Sequence, residues 1–161
     1  METEFYQIND GWNADPNAPS PSIEVRGEDL ILRFLVNPFQ FHDFERGDIG
    51  VLRFVRCERY RLGPTDDVGW HLGRCRFSKL APKWGEFYLV RGDVALLDAP
   101  GDWRSVRAAS GDGRHFLFYF RDNTFECVAQ RCLIEPAADN SLQRTGKKLV
   151  GLSAPDANSD R

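Results

Sequence analysis

Between Arg114 and Cys132 the chain reads RHFLFYFRDNTFECVAQRC, two alternating apolar runs on either side of an Asp-Asn pair. Such a segment folds back on itself or leaves its rings in water. With a two-residue turn at Asp122-Asn123, Phe120 stands opposite Phe125, Phe118 opposite Cys127 and Phe116 opposite Ala129, so all six leave one face of an antiparallel hairpin. The second face then carries His115, Leu117, Tyr119 and Arg121 against Thr124, Glu126, Val128 and Gln130. One greasy and one mixed face is the pattern of a strand pair half-buried over a core. The mixed face is expected to meet solvent, with Glu126 pairing diagonally with Arg121.

Most of the remaining signal has period two. Asp29 to Val36 sets Leu30, Leu32, Phe34 and Val36 on one face of a strand, and Asn37-Pro38 then offers a cap and first position for a turn or two of helix before Gly47. In Ile49 to Leu62 the apolar phase changes: Ile49 and Val51 share one parity, whereas Leu52, Phe54, Tyr60 and Leu62 share the other. A bulge, or cover on both faces, is the expected cause. Trp70 to Phe77, Trp84 to Val90 and Val94 to Leu97 read as further short strands. Residues 1–22 read as an extended N-terminal arm that Phe5, Tyr6, Ile8 and Trp12 can dock, 23–136 as one β-domain, and 137–161 as a short helix over 137–152 followed by a disordered tail. The fold class expected is mainly β: an antiparallel sandwich or barrel of about seven to nine strands with one or two short helices.

A chain of 161 residues, 42% hydrophobic, suffices for one core. Its formal charge of -3 removes the whole-domain electrostatic reason for sequence-independent nucleic-acid binding. No apolar run is long enough for a membrane span and the N-terminus lacks the basic start and apolar centre of a secretory signal, so a cytoplasmic protein is expected. Unpaired sheet edges make a homodimer reasonable.

Four cysteines and three histidines invite a test for zinc. Cys127 and Cys132 have opposite parity on a strand, and strand rise sets His71 and Cys75 about 13 Å apart. Neither pair closes on one ion, and no metal or cofactor is expected. If the loop GPTDDVG joins a hairpin in which Leu62 pairs with Trp70, then Cys57 lies opposite Cys75 and Glu58 opposite Arg74. A disulfide is within reach in that register, although reduced thiols are the expectation in the cytosol. No nucleophile elbow, zinc-protease, P-loop or dinucleotide fingerprint occurs.

Arg53, Arg59 and Arg61 share one parity, and a stripe of that kind grips a carboxylate, a phosphate or an acidic partner. Glu58, Asp66 and Asp67 lie nearby in sequence and offset it. Trp70, Trp84 and Glu86 gather aromatic and charged chemistry beside turns, so these six residues are the binding candidates. The leading expectation is a non-catalytic module that binds a protein partner, in the manner of an immunity protein or inhibitor. The second is a β-barrel for a small ligand, marked by a cavity of several hundred cubic ångströms. The third is a hydrolase or isomerase using Glu86, Glu126 or His115, marked by two of them within about 6 Å in a cleft.

Overall fold

The alternating runs become strands in two antiparallel sheets. In the computed structural model, which describes residues 2–64, 66–92 and 97–135, these are β1 (Glu4–Gln7), β2 (Ser22–Arg26), β3 (Asp29–Leu35), β4 (Ile49–Val55), β5 (Arg59–Pro64), β6 (Phe87–Arg91), β7 (Arg104–Ser105), β8 (Arg114–Tyr119), β9 (Asn123–Ala129) and β10 (Arg131–Glu135), with a short helix α1 (Asp67–His71) between β5 and β6. The larger sheet has the order β1-β6-β8-β9-β5-β7 and the smaller β10-β4-β3-β2. The expected helix over 137–152, the tail after it and all but the last residue of the expected strand 94–97 lie outside the described residues.

The sheets face one another in a sandwich-like arrangement, and the space between them is filled with rings. Phe54 of the smaller sheet lies 5.4 Å from Phe116, 5.5 Å from Phe118 and 5.4 Å from Phe125 of the larger one. Phe34 is 5.4 Å from Phe87. Aromatic pairs at these separations add to area burial and leave no barrel lumen. The N-terminal segment closes one end: β1 pairs with β6, and Trp12, 2% exposed, stacks on Phe34 at 5.8 Å.

The phase change between Ile49 and Leu62 falls inside β4, where Val51 on one face and Leu52 on the other are both buried; the chain passes from one sheet to the other further on. β4 pairs with β10 in the smaller sheet, β5 pairs with β9 in the larger one, and the two ladders are continuous. Between the partners Val55↔Arg131 and Arg59↔Val128, residues 56–58 lie on one strand and 129–130 on the other. That one extra residue is a bulge; Leu52 and Phe54 before it and Tyr60 after it keep one parity toward the core, whereas on the opposite strand the core-facing set passes from Phe125, Cys127 and Ala129 to Cys132. Arg56 takes a left-handed φ of 51° there and its N–H is held by Asp29 Oδ1 at 2.9 Å.

Three expectations are corrected. The β8–β9 hairpin pairs Phe118 with Phe125 and Phe116 with Cys127, two residues from the expected register, and turns at residues 121–122, where Phe120 N donates to Asn123 O at 2.8 Å. A slip of two preserves the face of every side chain, so all six core-facing residues are still buried. Residues 37–46 form turns and no helix: Asn37 Oδ1 accepts from Phe39 N and Gln40 N as a cap does, but the only helix-like backbone bonds that follow span three residues. Residues 70–77, expected as a strand, are α1 and turns, because Asp66 Oδ1 caps Gly69 N and β5 already has β9 and β7 as neighbours. Cys57 is therefore in the core, Cys75 sits beside Asp66 O at 3.6 Å, and none of the four cysteines is in a disulfide. Glu58 accepts from Ser110 N at 3.0 Å, where Arg74 was the expected partner.

Candidate functional site

The mixed face of the β8–β9 hairpin is not in water. His115, Leu117, Tyr119, Thr124, Glu126 and Val128 are all buried, and Glu126 is 0% exposed. A second apolar cluster covers them, with Phe77, Ala81, Tyr88, Val90, Leu117 and Tyr119 at its centre and Trp70, Trp84 and Leu97 packed against it. Residues 66–84, between β5 and β6, together with Leu97 thus form a third layer over the larger sheet.

Register fixes what meets on this face. One row across β6, β8, β9 and β5 consists of Val90, His115, Val128 and Arg59; the next consists of Tyr88, Leu117, Glu126 and Arg61. Same-row neighbours are about 5 Å apart and the rows about 7 Å, so diagonal contacts are within reach of long side chains. His115 Nε2 meets Glu126 Oε1 at 2.7 Å. Arg61 Nη1 donates to Glu126 Oε2 at 2.5 Å, and Arg76 Nε, from the covering layer, to the same oxygen at 2.8 Å. Arg61 also donates to Asp102 Oδ1 at 2.8 Å. Tyr119 Oη donates to the backbone oxygen of Arg76 at 2.8 Å, which ties the cover to the sheet.

The electrostatics follow from the partners. Burial by itself raises Glu126, but hydrogen bonding and charge from His115, and then from Arg76, outweigh it and hold the carboxyl below its usual range. Arg61, by donating to Asp102, likewise holds that carboxyl down. Tyr119 moves the other way, with burial pushing its phenol well above the ordinary value. An ionised Glu126 accepts from the Nε2–H of His115. The rings of Phe77 and Trp103 meet His115 edge-on at 6.4 and 5.8 Å.

A cavity of about 420 Å³ opens at the end of the sheet that carries the first row, lined by Val90, His115, Val128 and Arg59 from that row and by Arg91, Arg114, Leu97 and Asp98 around it. Arg59 is ion-paired with Asp98 and lies over the Trp103 ring at 4.4 Å. Arg91 lies over Tyr6 at 5.1 Å. Gly113 also lines the cavity, and close approach explains it: a Cβ there would come within 2.4 Å of Val128 Cγ1.

The structure separates the six binding candidates. Arg53 belongs to the smaller sheet, where Asp29 holds it at 2.8 Å, so it shares no stripe with the other two. Arg59 and Arg61 do share a face of β5, one at the cavity and one on Glu126. Trp70 and Trp84 lie 5.9 Å apart and both meet Tyr119, packing the cover against the sheet. Glu86 accepts from Gln7 Nε2 at 3.3 Å and from Asn9, and so anchors the N-terminal segment. The expected Glu126–Arg121 pair does not form: Arg121 donates to Asn17 O at 2.7 Å. Arg76, Arg91, Arg114, Asp98, Asp102 and Trp103 were not among the candidates. The outward parity of Leu117, Tyr119 and Val128, three residues poorly suited to water, is the signal that a cover was needed. Among the described residues no group of three or more His, Cys, Asp or Glu is placed to hold a metal ion, and no helix is long and apolar enough to cross a membrane.

No protein-family model, no curated protein and no solved structure matches this chain.

Proposed function

We propose that the protein is a non-catalytic module that binds a small ligand in the cavity beside His115 and Arg59. The observation that carries this reading is the cavity itself: about 420 Å³, within the usual range for ligand sites, and bordered by side chains fixed from several strands. The location differs from the barrel expected for a ligand carrier. Rings fill the space between the sheets, so the ligand is assigned to the outer face of the larger sheet, beneath its cover.

Two other readings have narrower support. Glu126 and His115 stand 2.7 Å apart, well inside the separation that marks an acid–base pair, but both Glu126 oxygens already accept from Arg76, Arg61 or His115. The carboxylate is thereby an orienting group for His115, with no oxygen left for a substrate. Binding of a protein partner finds support in Val68, Leu72 and Leu80, which are exposed around α1. Single exposed apolar side chains are ordinary on monomeric surfaces, so this weighs less than a formed cavity.

A fragment screen read by backbone amide chemical shifts tests the proposal. Fragments that bind should move the resonances of Val90, Gly92, Gly113, His115 and Val128 together. If a library of charged and neutral fragments leaves those five still, or moves only residues elsewhere, the cavity is not a ligand site.

A further inference from the structure

We infer that the open edge of the smaller sheet pairs with the same edge of a second copy of this chain, β2 against β2, antiparallel and centred on Val25. The pairing is independent of the cavity, which lies on the larger sheet. β2 is the last strand in the order β10-β4-β3-β2, and among the described residues no strand lies beyond it. Arg26 and Asp29 close the β2–β3 hairpin over Gly27 and Glu28, with Gly27 at the positive φ of 63° that the first position of such a turn requires. The closing pair of a two-residue hairpin exchanges hydrogen bonds and the exchange then alternates along the ladder, so Arg26, Glu24 and Ser22 direct their backbone groups to Asp29, Ile31 and Arg33. The N–H and C=O of Ile23 and Val25 therefore point away from β3, into the open edge. Val25 is 47% exposed there, on the same face as Ile23, which packs against the core. An edge of this kind is a template for another strand.

Charge selects both the partner and the register. In a two-fold pair about Val25, Glu24 lies opposite the partner's Arg26, Arg26 opposite the partner's Glu24, Val25 against the partner's Val25 and Ile23 against the partner's Gly27. Shifting the strands by two residues one way sets Glu24 against the partner's Glu24, and the other way sets Arg26 against the partner's Arg26, so like charges oppose both neighbouring registers. Within one chain Glu24 already pairs with Arg26 at 3.2 Å and with Arg33 at 2.8 Å, yet its side chain is 45% exposed and that of Arg26 51%, which leaves each room for a second partner. Backbone bonds and the Val25 contact hold the pair, and the charges fix its alignment. The other edges fit less well: β7 is two residues long, β1 carries a single charged residue, Glu4, and β10 runs on into residues outside the described ones.

Sedimentation equilibrium of the full chain over a wide concentration range tests the inference. The parent should pass from monomer to dimer as concentration rises. Val25→Pro, which removes an outward N–H and leaves the bonds to β3 in place, should abolish the dimer while the amide spectrum away from β2 stays that of the parent. Glu24→Arg and Arg26→Glu each set like charges opposite one another and should weaken association about tenfold. Combining both substitutions in one chain, or mixing the two single variants, brings opposite charges together again and should restore it. Should Val25→Pro unfold, the charge series decides alone. A parent that stays monomeric at every concentration overturns the inference, as does a dimer untouched by both single reversals, or one that neither the combined variant nor the mixture restores.

Discussion

Glu126 is a carboxylate without solvent, and its place in the fold depends on Arg61, Arg76 and His115. Replacement by alanine would leave two guanidinium groups close together in a closed space, which costs about 3–5 kcal/mol for a buried pair that loses one member. The expected outcome for Glu126→Ala is a fall of that order in the urea-derived unfolding free energy; a change below 1 kcal/mol would show that the arginines find other acceptors. The pH dependence has a definite sign. The folded carboxyl lies below its ordinary value of 4.5, so its contribution is fully present above 4.5 and is lost as pH falls through the folded value. Glu126→Gln should flatten the acid limb of the stability curve below about pH 4.5, measured by urea midpoints. Neither arginine partner was legible in the sequence. Arg61 reaches Glu126 from β5 across the ladder and Arg76 from the covering layer, whereas the sequence offered Arg121 as the near neighbour.

Among the elements, Gly50 shows how tightly the sheets are fitted. It lies opposite Phe34 in the β3–β4 register, and a Cβ built there would stand 2.7 Å from Phe34 Cζ. Phe34 cannot retreat freely, since Trp12 stacks on it at 5.8 Å and Phe87 meets it edge-on at 5.4 Å. Gly50→Ala should therefore destabilise by about 1–3 kcal/mol through overpacking. An unchanged urea midpoint would mean that the ring slides aside. The strands β3, β4, β8 and β9 were readable because alternation reports directly which side chains share a face. Register was not, since a shift of two residues leaves that alternation intact. The stretch 70–77 was misread because its aromatic spacing suits a strand as well as a turn, and the decisive feature, the Asp66 cap on Gly69, is a local hydrogen bond that alternation does not report.

For the molecule as a whole, an antiparallel β-class, sandwich or barrel, was visible in the recurrence of short alternating runs, but the third layer was not. Both faces of β8 and β9 are covered, and the sequence marked only one of them as apolar enough to need it. His115 and Glu126, which gave the second face its polar look, are accommodated because each satisfies the other. Hydrophobic patterning alone has no means of anticipating that.

The ribbon formed by β4 running into β5 and β9 running into β10 belongs to both sheets at once, with the bulge at 56–58 as its fold line. Peeling the smaller sheet away would tear hydrogen bonds on both sides of that line, so neither sheet has an independent route to opening. Native-state amide exchange should accordingly give the slowest protons of β3 and of β8 the same opening free energy, within about 0.5 kcal/mol, rising and falling together with denaturant. Two separate isotherms would mean that the line is a hinge after all.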